Sequence, residues 1–313
     1  MTPRPTFLMT DPEHFQVAYQ INPWMKPTAW SADPDALERQ ARKGWEALKA
    51  ALERAGADVR VMPGVEGLPD LVFPANAAVV LDGKALVARF RFPERADEAP
   101  HFHKALEALR RAGVVAEVAD IETVYQEGAA YQEGAVYQEG AVYQEGAGDC
   151  IWDANRRLFW TASGPRSTPD SLKVIADHFG QTVVHMPLAT EAFYHLDTCF
   201  CPLSGGEILY YPPALSKEAL RRLCERTTPD QRLEATERDA QGFCVNAVSL
   251  GRKVIMARPT ADLERRLAAR GYDVIGVDLD PFILSGGGAF CMTLRLDLAS
   301  QPAPAVRSLE AAA

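Results

Sequence analysis

Apolar residues along the chain alternate between two spacings, one at helical intervals and one in short contiguous runs, with Gly, Pro and Asp at the joins. After Ser31, Asp33 and Pro34, the positions Leu37, Ala41, Trp45, Leu48 and Leu52 share one helical face, and Gly56 marks the stop. Residues 70–73 read as a strand; 77–81 and 85–90 read as a hairpin around Asp82-Gly83. A helix then opens near Pro100, with Phe102, Leu106 and Leu109 on one side, and 114–118 reads as the next strand. Pro169-Asp170 opens another helix, bearing Leu172, Ile175 and Phe179, which Gly180 ends before an extended 182–185. The same grammar continues through a strand at 207–211, a helix at 216–222 and a strand at 253–256. A helix after Pro259-Thr260 and a strand at 273–277 complete it. Strand, strand, helix, strand recurring in this way is an α/β pattern. It fits small repeated units as well as it fits an open layered sheet, and no linker divides the chain, so one domain over 1–313 is the simplest count.

One stretch breaks the grammar. Residues 125–148 read YQEGAA YQEGAV YQEGAV YQEGAG, four tandem hexapeptides. In an extended backbone the even period would put Tyr125, Glu127 and their counterparts on one face. Glycine once per copy weakens a regular strand, and four copies are too few for a solenoid. The stretch therefore reads as a duplicated loop insertion beside a conventional strand, because longer surface loops cost little closure entropy. Only the last copy leads directly into Asp149-Cys150.

Composition narrows the function. The chain has 313 residues, is 47% hydrophobic and carries a formal charge of −9, so its field repels nucleic acid and anionic membrane and tolerates a cationic small molecule. No apolar run is long enough to span a bilayer, and the start has no apolar core of a signal peptide. A cytoplasmic location is the expectation. The six cysteines read as reduced thiols in a chain large enough to fold without staples, and Cys199 and Cys201 have the wrong spacing for a structural zinc. His101 and His103 read as a solvated helix face.

Three stretches look chemical. In LSGGGAFCMTL, Gly286, Gly287 and Gly288 leave room for close backbone approach to a ligand, and Cys291 follows as a candidate nucleophile or, equally, a buried core thiol. The glycines lack the Lys-Ser or Lys-Thr of a phosphate-binding loop. In FYHLDTCFCPL, His195 and Asp197 would emerge on one face of a strand, an imidazole beside a carboxylate. In YQEGAGDCIW, Glu145 and Asp149 flank a glycine-rich turn.

Taken with FLMTDPEHFQVAYQINPWM, DLVFPANAAVV and TASGPRS, these stretches resemble the guanidine-modifying superfamily of arginine deiminases, dimethylarginine dimethylaminohydrolases and amidinotransferases, the penteins. The resemblance spans most of the chain. It implies a five-fold pseudo-symmetric α/β propeller of ββαβ-type units around a central pocket, and a thiol that attacks the guanidinium carbon. Cys291 matches the nucleophile, His195 the acid and base, and Glu145 the carboxylate associated with the histidine. Arg166, in SGPRS, matches an arginine that receives the substrate carboxylate, and a solvated loop arginine is the alternative. Arg91 lies in RFPERADE, where Arg91, Glu94, Arg95 and Glu98 form either an alternating charged face or part of the pocket wall. Asp149 is expected to orient the substrate amino group or the loop itself, and Asn246 occupies a similarly motif-like place or braces a turn.

Substrate choice turns on two positions. Asp197 matches the aspartate of arginine deiminases that contacts guanidinium nitrogens, which favours unsubstituted L-arginine over a methylated one. Asn76 stands where deiminases carry an aspartate, and an amide there loses charge, keeps one acceptor and gains two donors. That asparagine resembles cyanobacterial-type arginine dihydrolases, which release ornithine, carbon dioxide and two ammonia molecules. The expectation is a metal-independent hydrolase of a small cationic guanidino substrate, with no cofactor, nucleic-acid or membrane partner and with oligomeric state open. Deimination to citrulline, dimethylarginine hydrolysis, amidino transfer and non-catalytic arginine sensing are the alternatives.

Overall fold

The alternating stretches resolve into five three-stranded sheets of one design in a computed structural model that describes residues 4–130 and 141–301. The strands are β1 (Thr6–Thr10), β2 (Asp58–Met62), β3 (Ala78–Leu81), β4 (Lys84–Val87), β5 (Glu117–Asp120), β6 (Cys150–Asp153), β7 (Leu158–Ser163) and β8 (Thr182–Pro187). They continue with β9 (Phe200–Pro202), β10 (Ile208–Tyr210), β11 (Arg232–Glu234), β12 (Val248–Leu250), β13 (Lys253–Ala257), β14 (Asp273–Val277) and β15 (Leu294–Arg295). The sheet orders are β15-β1-β2, β3-β4-β5, β6-β7-β8, β9-β10-β11 and β12-β13-β14. In each, the middle strand runs antiparallel to the first and parallel to the third. A parallel partner needs a crossover, and a helix fills it every time. These helices are α1 (Pro34–Arg54), α2 (Glu98–Arg111), α3 (Ser171–Phe179), α4 (Lys217–Arg226) and α5 (Ala261–Ala268). The chain is thus built of repeated ββαβ units, with β15 completing the first sheet.

Local chemistry explains the helix boundaries. Asp33, Ser216 and Thr260 each accept the backbone N–H three residues on, at 3.2, 3.1 and 3.2 Å, which satisfies donors that a helix start leaves free. The Asp82-Gly83 hairpin forms as read, with φ of 52° and 74°, the positive values that a tight two-residue turn demands. Burial follows sheet position. Strands β3 and β6, at one edge of their sheets, and the central β7 are buried throughout, whereas β2, β5 and β14, at the opposite edges of theirs, keep most of their residues at least partly exposed. All five sheets meet at one mostly apolar cavity of about 90 Å³, to which Phe7, Leu294, Val80, Ile151, Cys201 and Val248 contribute. Asp197 also lines it. No described helix is long and apolar enough to cross a membrane.

Four sequence expectations are corrected. Residues 70–73 form no strand: Pro69–Val72 and Pro74–Asn76 are 3-10 turns, because each proline fixes its own φ and removes a ladder donor. The strand expected at 114–118 starts at Glu117, since Val114 still donates to the Leu109 carbonyl at the end of α2. His195 and Asp197 lie at a 3-10 turn, Leu196–Thr198, and therefore point to different partners. The first hexapeptide copy falls in a helix, Ile121–Ala130, so its positions do not alternate as on a strand. Residues 131–140, with the middle copies, lie outside the described residues. The last copy runs extended, with Gln144 bridged to Arg89, before a helical turn at Gly146–Asp149.

Candidate active site

Four segments, each at a turn beside a sheet, bring the candidate residues together: 74–76 before β3, 145–149 before β6, 195–198 before β9 and 286–291 before β15. Their side chains are almost completely withdrawn from solvent, with His195, Asp197 and Asp149 each 1% exposed and Glu145 not exposed at all.

The thiol and the imidazole each have a carboxylate partner. Cys291 Sγ donates to Asp197 Oδ2 at 3.1 Å and accepts from Asn246 Nδ2 at 3.1 Å. Asn246 Oδ1 in turn accepts the backbone N–H groups of Phe290 and Cys291 at 3.0 and 3.1 Å. Burial and the neighbouring Asp197 charge push the Cys291 thiol well above its ordinary pKa, against the Gly288 backbone and the Asn246 amide. Burial likewise raises Asp197 to about 7. His195 Nε2 lies 2.8 Å from Glu145 Oε2, so a neutral ring carries its proton on Nε2, and Nδ1 is left without a partner.

Glu145 is the charged centre of the site. Burial would raise its pKa, but the Arg166 guanidinium and His195 overcome that and hold it at about 2. Its Oε2 also accepts from Arg166 Nη1 at 3.1 Å, and its Oε1 takes the Arg91 backbone N–H at 3.1 Å. Arg166 is 1% exposed and lies over the rings of Phe92 and Tyr194, at 4.6 and 4.8 Å, with its Nε unpartnered. Asp149 is anchored at both oxygens, by the Leu196 N–H at 3.0 Å and the Ser167 hydroxyl at 2.6 Å. Burial raises its pKa to about 6.

The charged segment 91–98 separates by burial. Arg91 and Glu94 are exposed, and the Arg91 side chain reaches the Gly164 carbonyl at 3.2 Å. Arg95 and Glu98 are buried and form a two-bond fork at 2.8 and 2.7 Å. Arg95 Nη1 also donates to Asn76 Oδ1 at 2.8 Å, so the acceptor that the sequence left free on Asn76 is occupied by the protein. The triple glycine approaches protein rather than a ligand: a β-carbon at Gly287 would overlap the Phe73 ring, and one at Gly288 would lie 2.8 Å from Asn246 Oδ1.

Sequence reasoning passed over Ser167 and Tyr194. Ser167 accepts the Glu145 backbone N–H at 3.1 Å while binding Asp149, and Tyr194 donates to the Gly286 carbonyl at 2.5 Å. Ser167 directly follows Arg166 and Tyr194 directly precedes His195, which was the available signal. Asn246 braces the 290–291 turn, one of the two roles the sequence allows, and also reaches the thiol.

A family described as N,N dimethylarginine dimethylhydrolase, eukaryotic, matches residues 11–298. The bifunctional arginine dihydrolase/ornithine cyclodeaminase ArgZ of Synechocystis sp. is 36% identical over 92% of this chain and 37% of its own length. The corresponding AgrE of Nostoc sp. is 35% identical over 95% of this chain and 38% of its own. The chain therefore spans less than two-fifths of these two relatives. The N(G),N(G)-dimethylarginine dimethylaminohydrolase of Mycobacterium tuberculosis is 33% identical over 94% of this chain and 87% of that protein. Among solved structures, the N-terminal domain of a substrate-bound ArgZ mutant superposes with a TM-score of 0.81, at 34% identity, covering 95% of this chain and all of that one. With the family match and these relatives, the chain belongs to the pentein superfamily of guanidine-modifying enzymes and resembles its arginine dihydrolase and dimethylarginine dimethylaminohydrolase members.

Proposed function

We propose that this chain is a metal-independent hydrolase of free L-arginine that releases ornithine, carbon dioxide and two ammonia molecules. The observation that carries the reading is the pairing of a buried thiol with Asp197 alongside a buried histidine with Glu145. The similarity to arginine dihydrolases supports the substrate. The five matching sheets around one cavity support a closed five-bladed propeller, formed as a single domain with the hexapeptides as an insertion.

The guanidinium carbon is a planar, resonance-stabilised cation, so it needs carboxylates on its N–H edge and a nucleophile over its face. Asp197 Oδ1, buried and unpartnered, is the acceptor for that edge, and Arg166 receives the substrate carboxylate with Arg91 at the pocket rim. A guanidinium held by ionised Asp197 also favours the Cys291 thiolate, and the thiol proton passes to the unpartnered Nδ1 of the neutral His195 ring. The thiolate bonds to the carbon, and His195 supplies the proton with which ammonia leaves. Water, deprotonated by His195, then attacks the thiouronium-like intermediate; the carbon–sulfur bond breaks, and citrulline forms. A second water carries citrulline to ornithine, carbon dioxide and ammonia. Asp149 holds the loop of His195, and Glu145 orients its ring. A reduced thiol nucleophile suits the cytoplasm.

A second reading, hydrolysis of dimethylarginine, is favoured by the family match and the mycobacterial relative. Labelled L-arginine and dimethylarginine, supplied separately in chelator-treated buffer, decide between them. Ornithine with two equivalents of ammonia is the expected result. Citrulline alone means deimination, dimethylamine from the methylated substrate alone means the second reading, amidino transfer requires an added amine, and binding without ammonia release means a sensor.

A further inference from the structure

We propose that Ser167 is a positioning residue whose hydroxyl joins the two carboxylates around His195 into one frame, by taking the Glu145 backbone N–H and giving its proton to the Asp149 oxygen that faces the imidazole. The inference rests on the reading of His195 as the acid and base, and deepens it.

His195 Nε2 lies 2.8 Å from Glu145 Oε2 and 3.9 Å from Asp149 Oδ2, so two carboxylates face one ring nitrogen and only one of them bonds it. Asp149 is held to other partners. Its Oδ1 accepts the N–H of Leu196, the residue after His195, at 3.0 Å, and its Oδ2 accepts the Ser167 hydroxyl at 2.6 Å. The direction of that hydroxyl is fixed, because Ser167 Oγ also faces the Glu145 N–H at 3.1 Å, a group that can only donate. Ser167 and Asp149 are 0% and 1% exposed, so bulk water does not stand in for the hydroxyl.

The turn that carries Ser167 is itself anchored. The Ser167 carbonyl accepts the Gly164 N–H at 3.0 Å, and Arg166, one residue earlier, donates to Glu145 Oε2 at 3.1 Å. Consecutive residues thus grip Glu145 at its carboxylate and at its backbone, and Ser167 extends the grip to Asp149.

The hydroxyl also acts on charge. Burial pushes Asp149 up, to about 6 in all: the imidazole, the Ser167 hydroxyl and the Leu196 N–H pull it down, and the Glu145 charge adds to the rise. The nearby Cys150 and Cys199 thiols are pushed up, first by burial, and stay protonated. Asp197, in the same turn as Leu196 and raised to about 7 by burial, is kept ionised by a bound guanidinium. Without the hydroxyl, Asp149 takes a proton more readily. A neutral Asp149 withdraws one of the two negative charges that balance the imidazolium formed when His195 receives the thiol proton.

The test is kcat for ammonia release from saturating L-arginine at pH 5 and at pH 8, with folding followed by circular dichroism. Ser167→Ala is expected to lower kcat about tenfold more at pH 5 than at pH 8, the ratio given by a rise of about one pH unit in Asp149. In an Asp149→Asn background the same substitution is expected to have equal effects at both pH values. Ser167→Thr, which keeps a hydroxyl, is expected to restore the wild-type pH dependence. Should Ser167→Ala not fold, Ser167→Cys, a weaker donor, is read in the same way. A loss of equal size at both pH values in folded Ser167→Ala is the mark of a merely structural role and overturns the inference. A pH-dependent loss that persists beside Asp149→Asn overturns it too, since the hydroxyl then acts through another group. Near-normal turnover in His195→Ala overturns the acid–base reading itself, and this proposal with it.

Discussion

Asn246 and Cys291, 45 residues apart, are joined by two hydrogen bonds, the Cys291 N–H to the amide oxygen and the amide nitrogen to the sulfur, each at 3.1 Å, and the same oxygen also takes the Phe290 N–H at 3.0 Å. The backbone donors fix the amide orientation, so the sulfur always meets N–H. Asn246→Asp keeps the shape and the acceptor but removes that donor. We expect the pH midpoint for iodoacetamide alkylation of Cys291 to rise, and kcat to fall about tenfold or more, the scale of a hydrogen bond to a charged group. An unchanged alkylation profile would show that the amide only braces the turn.

The two reacting groups should be separable from any metal. Cys291→Ser is expected to abolish turnover, and His195→Ala to lower it at least about 100-fold. Chelator treatment should leave the wild-type rate unchanged. Turnover retained in the serine variant, followed by ammonia release, removes Cys291 from the mechanism.

Gly148 carries no side chain because Asn76 Nδ2 occupies the place of a β-carbon. Gly148→Ala should cost about 1–3 kcal/mol in stability by overpacking, and should displace the Asn76 amide. Urea unfolding measures the first effect, and a fall in kcat/KM for the proposed substrate L-arginine the second.

Burial pushes three carboxyls up, Asp197 and Glu98 to about 7 and Asp149 to about 6. A carboxyl whose folded pKa is raised contributes stability that is full below its unfolded pKa and is lost as pH rises through the folded one. Glu145, held at about 2, acts oppositely, and its contribution is lost only as pH falls toward 2. Tm should therefore decline from pH 5 to pH 8. Asp197→Asn should flatten that decline, raising Tm more at pH 8 than at pH 5 while removing activity. An equal shift at both pH values contradicts the assignment.

The last hexapeptide copy alone supplies Glu145 to His195, and it alone ends in glycine, where the other copies end in Ala130, Val136 and Val142. Deleting residues 131–136, one whole copy, should leave kcat/KM within about twofold, since the closure cost of such a change is below about 0.6 kcal/mol. A large loss in a steady-state assay would give the earlier copies a role at the site.

How much the sequence disclosed follows the range of the interaction responsible. The 273–277 strand and the Asp82-Gly83 hairpin were readable because neighbouring residues decide them. Residues 70–73 misled because their apolar run outweighed the prolines beside it. The motifs named Cys291, His195 and Glu145, yet spacing could not tell that His195 and Asp197 turn to different partners across a 3-10 turn. Arg91 and Arg95 look alike in RFPERADE; which one is buried depends on Asn76, Asp70 and Glu98, and two of these lie outside that segment. The thiol's contact with Asn246 likewise joins residues 45 apart.

Strand β15 pairs with β1, Phe7 opposite Arg295 and Leu8 opposite Leu294, and Cys291, the proposed nucleophile, sits three residues ahead of it. A growing polypeptide can lay down β3 through β14 while its first sheet still lacks one edge and its candidate site lacks sulfur. The reactive group then arrives with the piece that completes the opening sheet. Chains that stop short of residue 291 are thus expected to lack turnover, and Cys291 is almost wholly buried once β15 is in place, at 2% exposure.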